Sequence, residues 1–258
     1  MKVIAVTSGK GGVGKTNFSA NFAISLSQFG HNVVLFDADL QLANVDIALG
    51  ITAQHTLSQV VNGEMSIREI LANGPGGIKV AAGGSAVHKL MTAGPKRTAQ
   101  FFEQIEDLRD VTDFLIYDTA AGLESRVTRF LEQSDEVVLV TTPDPTAITD
   151  AYATAKVLFK KNPDAVVRVV VNMVRSEEEA IAIYGHLNRI CKTFLDQELF
   201  YLGFVRWDQQ ASIATRQRRP ITVSAPQADA ARDITECART MWELSRAKPQ
   251  RNFLQLAA

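Results

Sequence analysis

Residues 9–16 read Gly9-Lys10-Gly11-Gly12-Val13-Gly14-Lys15-Thr16, which satisfies G-x-x-x-x-G-K-[ST]. The flanking residues give the motif its weight. The β-branched run Val3-Ile4-Ala5-Val6-Thr7 before it reads as a strand. The stripe Phe18, Phe22, Leu26, Phe29 after it, closed by Gly30, reads as a helix opening near Lys15. Between a strand and a helix, such glycines let successive backbone N–H groups converge on phosphate oxygens, and the helix N-terminus adds a dipole that favours anions. Gly11, Gly12, Val13, Gly14, Lys15, Thr16 and Asn17 are therefore expected to cradle a nucleotide's phosphates. Lys15 would reach the β- and γ-phosphates, and the Thr16 hydroxyl would ligate Mg²⁺.

Working outward, short apolar runs alternate with longer helical patterns, the signature of a parallel sheet covered on both faces. Strands are expected at 3–7, 32–37, 78–82, 114–118, 136–141, 166–172 and 200–205, giving a doubly wound, mostly parallel α/β sheet of about seven strands. A helix near 179–195 would place Ile183, Tyr184, Leu187, Ile190, Cys191 and Phe194 on one apolar face. Gly74-Pro75-Gly76-Gly77 reads as a tight turn before a strand. With no internal repeat and no Gly/Ser/Pro linker, residues 1–245 are expected to form one domain, followed by a short tail over 246–258.

Composition narrows the function classes. The 258 residues carry 27 basic and 28 acidic side chains, a net charge of −1 that speaks against wholesale nucleic-acid binding. Cys191 and Cys237 are too few for a disulfide framework and both fall on apolar helical faces, which suits a reducing cytoplasm. No apolar stretch is long enough to span a bilayer. His31, His55, His88 and His186 have no metal-ligand spacing, and no Ser–His–Asp arrangement is legible.

Lys10, the extra lysine that makes the loop Lys-Gly-Gly-Val-Gly-Lys-Thr, resembles the deviant loop of the MinD/ParA ATPases, and other landmarks agree over roughly residues 2–245. The resemblance implies that Lys10 reaches across a two-fold interface to the nucleotide of a second subunit in an ATP-bound homodimer. Phe36-Asp37-Ala38-Asp39 closes the second strand. Carboxylates at a strand's C-terminal end sit on the ligand-binding edge of an open α/β sheet. By resemblance, Asp39 orients the attacking water and Asp37 supports the metal site. Phe114-Leu115-Ile116-Tyr117-Asp118 is similar to a Walker B strand, with Asp118 holding Mg²⁺ through a bound water, and Thr119–Gly122 follows as a loop near the γ-phosphate. Thr146 would cap the helix after Pro145, where Asp150 matches an acidic position near the signature lysine. Asn172 would read the adenine edge, and the loop Phe204–Asp208 would line the base through Arg206 and Asp208, although relatives usually carry proline where Arg206 stands.

Within the family, Lys15-Thr16-Asn17, Leu42-Ala43-Asn44-Val45-Asp46, Thr56-Leu57 with Val60, Gly74–Gly77, Asp118–Gly122 and Thr149–Tyr152 are more similar to the flagellar-number regulators (the FlhG/FleN branch) than to cell-division MinD. The function implied is an ATP-hydrolysing dimerisation switch that acts on flagellar number or placement through partner proteins. A ParA-like DNA-partitioning ATPase and a Min-type division-site regulator are the alternatives. Arg216, Arg218 and Arg219 read either as a nonspecific DNA patch or as a solvated helix end, and the charge balance favours the second. The chain opens directly on its first strand, without the short extension by which many flagellar members stimulate a partner GTPase. Its tail offers only Phe253, Leu254 and Leu256 as bulky apolar groups after Pro249, which reads as weak membrane contact or a frayed end. Localisation is expected to be cytoplasmic, with a peripheral position at the membrane or cell pole left open.

Overall fold

In this computed structural model, residues 1–39, 44–84, 94–122 and 124–246 are described, with only the backbone of 95, 96, 125 and 126. The expectations placed on Leu42-Ala43, His88 and the tail beyond Arg246 lie outside these residues.

Eight strands form one sheet: β1 (Lys2–Thr7), β2 (Val33–Ala38), β3 (Ala72–Asn73), β4 (Lys79–Ala81), β5 (Phe114–Thr119), β6 (Glu136–Thr141), β7 (Val167–Val174) and β8 (Phe200–Arg206). Their order is β3-β4-β2-β5-β1-β6-β7-β8. All neighbours run parallel except β3 and β4. The seven expected strands are present, and the eighth, β3, is two residues long, too short to show any periodicity. It pairs antiparallel with β4 through the expected Gly74–Gly77 turn, which Gly74 N–H closes onto the Ile78 carbonyl at 2.8 Å.

The helices are α1 (Lys15–Gln28), α2 (Val45–Leu49), α3 (Leu57–Val61), α4 (Pro95–Glu106), α5 (Ser125–Glu132), α6 (Pro145–Lys161), α7 (Glu177–Leu195), α8 (Gln209–Arg216), α9 (Ile221–Ser224) and α10 (Asp229–Arg246). The strands are continuous apolar runs because each face of the sheet meets a different helical layer. Val3, Ala5, Val34, Phe36, Leu115 and Tyr117 enter one core with residues of α3, α4, α5, α6 and α7. The alternate residues Ile4, Val6, Val33, Leu35, Phe114 and Ile116 enter the other with residues of α1, α2 and α10. Alternation with period two thus survives in space although hydropathy hides it. Every helix of the first layer follows its strand around that face, and α1 and α10 close the second, which is double winding.

The ends of the long helices are chemically marked. Ser176 caps α7 by accepting the Glu179 N–H, and Glu177, Glu178 and Glu179 favour the positive end of the helix dipole. Leu187 and Cys191 are buried as expected, and burial pushes the Cys191 thiol up to about 11, which makes it an inert core group. Phe194 corrects the expected apolar face: it is 73% exposed, because the last turn of α7 extends past the sheet it packs against.

Candidate functional site

The loop after β1 needs glycine at Gly9 for room, at Gly12 for its backbone conformation and at Gly14 for both. Gly12 and Gly14 have φ of 82° and 84°, in the left-handed region. A Cβ on Gly14 would stand 2.4 Å from Asn172 Nδ2, and one on Gly9 would stand 2.2 Å from the Asp150 carbonyl oxygen. Asn172 Nδ2 donates to the Val13 carbonyl at 2.7 Å, so the end of β7 holds the loop from one side while α6 holds it from the other. Gly11 and Gly12 face open space. A cavity of about 220 Å³ lies over this stretch, with Lys10, Lys15, Thr16, Asp39 and Ala121 in its walls. The loop after β5 is tied to the same site, since Gly122 N–H donates to the Ser8 carbonyl at 2.9 Å.

Beneath the loop, Asp37 and Asp118 are register partners on adjacent strands, and both are almost fully buried. Lys15, itself buried, places Nζ 3.2 Å from Asp118 Oδ1. Ser19 Oγ lies 2.9 Å from that same oxygen and 3.0 Å from the Lys15 carbonyl, so its single proton serves one of them at a time. Asp37 accepts backbone N–H groups from Asp39, Asn44 and Val45 at 3.1, 3.0 and 3.2 Å. Those bonds lower its pKa but do not prevail. Burial, followed by the charge of Asp118, raises Asp37 to about 7. Asp39 stands half-buried at the mouth, with Thr16 at the start of α1.

Lys10 lies on the rim. Its Nζ donates to Asp144 Oδ2 at 2.8 Å and to Thr146 Oγ1 at 2.5 Å. Asp144 is also the cap of α6, accepting the Thr146 N–H at 2.8 Å, with Pro145 in the first turn. One sequence expectation is corrected here: the cap is Asp144 rather than Thr146. Asp150 lies beside the loop near Lys10, its backbone against Gly9, and the carboxylate that meets Lys10 is Asp144. Hydrogen bonds from Lys10, then from Thr146, hold the Asp144 carboxyl well below the usual carboxylate range.

A second cavity, of about 140 Å³, opens beside the loop and is lined by Asn21, Asn172, Met173, Arg206, Trp207 and Asp208, among others. The three polar residues expected to meet a base are brought together here, but each is engaged within the chain. Asn172 Oδ1 accepts the Met173 N–H, opposite its bond to Val13. Arg206 makes a two-pronged pair with Asp233 at 2.8 and 2.7 Å and approaches Asp229 at 3.3 Å. Asp208 caps α8 and also accepts the Ala230 N–H. Sequence reasoning did not single out Met173, whose φ of 60° accompanies a register shift between β7 and β8, or Asp233. Neither leaves a local signal. Trp207, 65% exposed at the rim, was legible only as part of its loop.

Comparisons with known proteins agree with this geometry. The family ParA, described as NUBPL iron-transfer P-loop NTPase, matches residues 1–242. The chain is 39% identical over 230 residues to the antiactivator FleN of Pseudomonas aeruginosa, covering 89% of this chain and 82% of that one. It is 38% identical over 227 residues to the flagellum site-determining protein YlxH of Helicobacter pylori, covering 87% and 76%. In fold it is similar to the cell division ATPase MinD of Pyrococcus furiosus, with a TM-score of 0.78 at 24% identity over 94% of this chain and 99% of that one. The solved structure of MinD from Pyrococcus horikoshii, complexed with Mg-ADP, gives 0.77 at 24% identity, covering 95% and 97%. A strand–glycine loop–helix with a buried lysine, paired carboxylates on adjacent strand ends and a matching family over nearly the whole chain lead to one assignment: this protein belongs to the ParA/MinD family of P-loop NTPases.

Proposed function

We propose that the chain is an ATP-dependent dimerisation switch that hydrolyses ATP and sets flagellar number or placement through partner proteins. The observation that carries the switch is the contrast between its two loop lysines. Lys15 is buried on Asp118, whereas Lys10 is held on the rim by exposed partners, from which it can swing outward. Similarity to FleN and YlxH supports the flagellar role.

The residues present suit a nucleotide with magnesium. Gly11 and Gly12 leave an open cradle of backbone N–H groups at a helix N-terminus, and Thr16, Asp37, Asp39 and Asp118 offer the hard oxygen donors that Mg²⁺ takes. When bound, Mg·ATP supplies the phosphoryl group under attack and a dication that screens its charge. In this reading Lys15 exchanges Asp118 for phosphate oxygens. Thr16 would hold the metal by its hydroxyl and Asp118 through a bound water, with Asp37 in support. Asp39 orients the attacking water, and Lys10 crosses to the nucleotide of a second copy. The nucleobase takes the cavity beside Asn172, Arg206 and Asp208. Since those polar groups are engaged, they shape its walls while Met173 and Trp207 lend apolar surface.

Sedimentation velocity with ATP tests the switch. Asp39→Ala is expected to persist as an ATP-bound dimer, and Lys10→Ala to stay monomeric. If Lys10→Ala dimerises and turns over ATP like the unmodified chain, the cross-interface role is wrong.

The DNA-partitioning alternative rests on Arg216, Arg218 and Arg219, all exposed, and is opposed by the net charge of −1. The iron transfer in the family's description calls for metal-binding thiolates. Here Cys191 and Cys237 are both buried, on different helices. Among the described residues no helix is long and apolar enough to cross a membrane. A cytoplasmic protein with reversible contact at the membrane or pole fits this reading.

A further inference from the structure

Away from the nucleotide site, a groove of about 770 Å³ runs between α2, the Pro75–Gly77 turn and the connection from α8 to α9. Its volume lies within the range of ordinary binding clefts. Ile47 of α2 and Val223 of α9 line it, each 48% exposed, and both are among the large apolar residues the fold leaves in water. Arg218 and Arg219 also line it, with exposed Arg216 at the adjoining end of α8. Among the described residues none of these three guanidinium groups meets a carboxylate. The remaining residues (40–43, 85–93, 123 and 247–258) contain no Asp or Glu. Asp46 is the acidic side chain in the lining, and its Oδ1 accepts the Ile47 N–H of its own helix at 2.8 Å.

The groove is held in shape from both sides. Arg218 has a φ of 54°, left-handed for a residue with a Cβ. Its carbonyl oxygen lies where a side chain on Gly50 would stand, 2.4 Å from the Cβ position, so only glycine at the end of α2 permits the contact. Arg218 and Arg219 N–H groups close the turn onto Thr215 and Ala214 at 3.1 and 3.0 Å. On the other wall, the bonds from Asn44 and Val45 to buried Asp37 fix the start of α2. A site already in its bound shape loses little conformational entropy when a ligand arrives.

We infer that this groove is a docking site for a short acidic and apolar segment of a partner protein, with a bulky side chain seated between Ile47 and Val223 and carboxylates on Arg218 and Arg219. Charge complementarity selects the occupant. Unpaired guanidinium groups bind carboxylates in a forked geometry, and an apolar trough beside arginine is the composition of a protein interface core. A nucleic-acid backbone would satisfy the arginines but leave the trough in water. The groove shares Arg219 with the cavity given to the nucleobase, but Ile47, Val223 and Arg218 line neither that cavity nor the one over Gly11 and Gly12, so these three test the groove apart from the nucleotide reading.

The test begins with a phage-displayed random dodecapeptide library panned on the full chain. The consensus is expected to carry at least a pair of acidic residues beside a bulky apolar one. A fluorescein-labelled consensus peptide should lose roughly tenfold or more in affinity on Ile47→Glu, Val223→Glu or Arg218→Asn, and its binding should weaken with salt. Asn is among the residues that tolerate left-handed backbone, so Arg218→Asn removes the charge without new strain and decides the matter if an apolar variant fails to fold. Binding of a fluorescent ATP analogue, measured in parallel, should be unchanged in all three variants. Each of four results overturns the inference: no acidic consensus, equal peptide affinity in the variants, a random-sequence DNA duplex that displaces the peptide at physiological salt, or a groove filled by a second copy of the chain.

Discussion

The two ends of the same parallel sheet solve opposite electrostatic problems. At the N-terminal end, Glu136 opens β6 between two cations: Lys2 Nζ lies 2.6 Å from Oε1, and Arg168 Nε donates to Oε2. Burial would raise the Glu136 pKa, but Arg168 and Lys2 outweigh it and hold the carboxyl below its ordinary value. At the C-terminal end, two buried carboxylates stand side by side: Asp118 meets the buried Lys15, and Asp37 is driven up to about 7. In the first cluster the carboxylate has a cation on each side, both cations keep some contact with water, and the group closes the sheet. The second carries a surplus of negative charge with no second cation among the described residues to answer it, in the place where the nucleotide reading puts a dication. Stability resides at one end, and stored electrostatic cost at the other.

The sharpest way to break this comparison is to remove the buried cation that meets Asp118 at the costly end. Lys15→Ala is expected to lower ATP turnover by roughly a hundredfold to a thousandfold, the scale of losing a main phosphate-charge stabiliser. Turnover by phosphate release checks it, and activity near that of the unmodified chain would deny Lys15 its role. At the N-terminal end the expected loss is of fold rather than activity. Glu136→Ala strands two partly buried cations and should cost about 3 kcal/mol, a fall of roughly 6–12 °C in Tm for a chain of this size. Next in size, Asp118→Asn keeps an acceptor for Ser19 and relieves Asp37 of a like charge but strands the buried ammonium of Lys15, so the metal-free chain should lose about 1 kcal/mol while ATP turnover is lost. A gain of stability instead would show that repulsion between the two carboxylates outweighs the ion pair.

pH sharpens the contrast, because the two ends respond in opposite directions. A carboxyl held below its ordinary 4.5, as at Glu136, contributes stability that is present above that value and is lost as pH falls through the folded pKa. Asp37, raised from 3.8 to about 7, binds a proton in the folded chain over a range where the unfolded chain has released it. Stability of the metal-free chain should therefore fall as pH rises from about 4 to about 7, and level off above. Urea unfolding in chelator, carried from acid to neutral pH, should show both limbs, with Glu136→Gln reducing the acid one and Asp118→Asn reducing the neutral one, whose larger cause is burial of Asp37.

What the sequence made legible follows from how local each signal is. The continuous runs at 3–7, 32–37 and 114–118 announce strands buried on both faces, and the loop motif declares itself between its strand and helix. Ala72-Asn73 is too short to announce anything. Phe194 continues the apolar spacing of α7 past the point where packing partners end. The clasp between Lys10 and Asp144 joins residues 134 apart, and the pair Arg206–Asp233 joins residues 27 apart, so no window of sequence holds either. Family resemblance brought α6 close to Lys10, but only the fold selects Asp144 over Asp150 there. The same holds for the groove, whose walls come from α2, α9 and a turn at residues 75–77.

The Lys10–Asp144 clasp lies at the costly end yet stands in solvent, which makes its expected effect the smallest. Exposed pairs contribute little to stability because water screens them and both side chains must be ordered. Lys10→Ala should therefore leave the thermal midpoint of the monomer unchanged. Its trace belongs in titration. Hydrogen bonding from Lys10 is the largest cause of the low Asp144 pKa, and the Thr146 hydroxyl and N–H add to it. Since the folded value is depressed, whatever the clasp contributes is present above the ordinary carboxylate pKa and lost only as pH falls through the lowered one. Followed by carboxyl ¹³C shifts, Asp144 should titrate well below the usual carboxylate range in the unmodified chain and move part of the way back in Lys10→Ala, because the two bonds from Thr146 remain. An ordinary titration in the unmodified chain would mean that Lys10 is already loose in the monomer. Its swing toward a second subunit would then require no contact to be broken, and the difference between the two loop lysines would lie in burial alone.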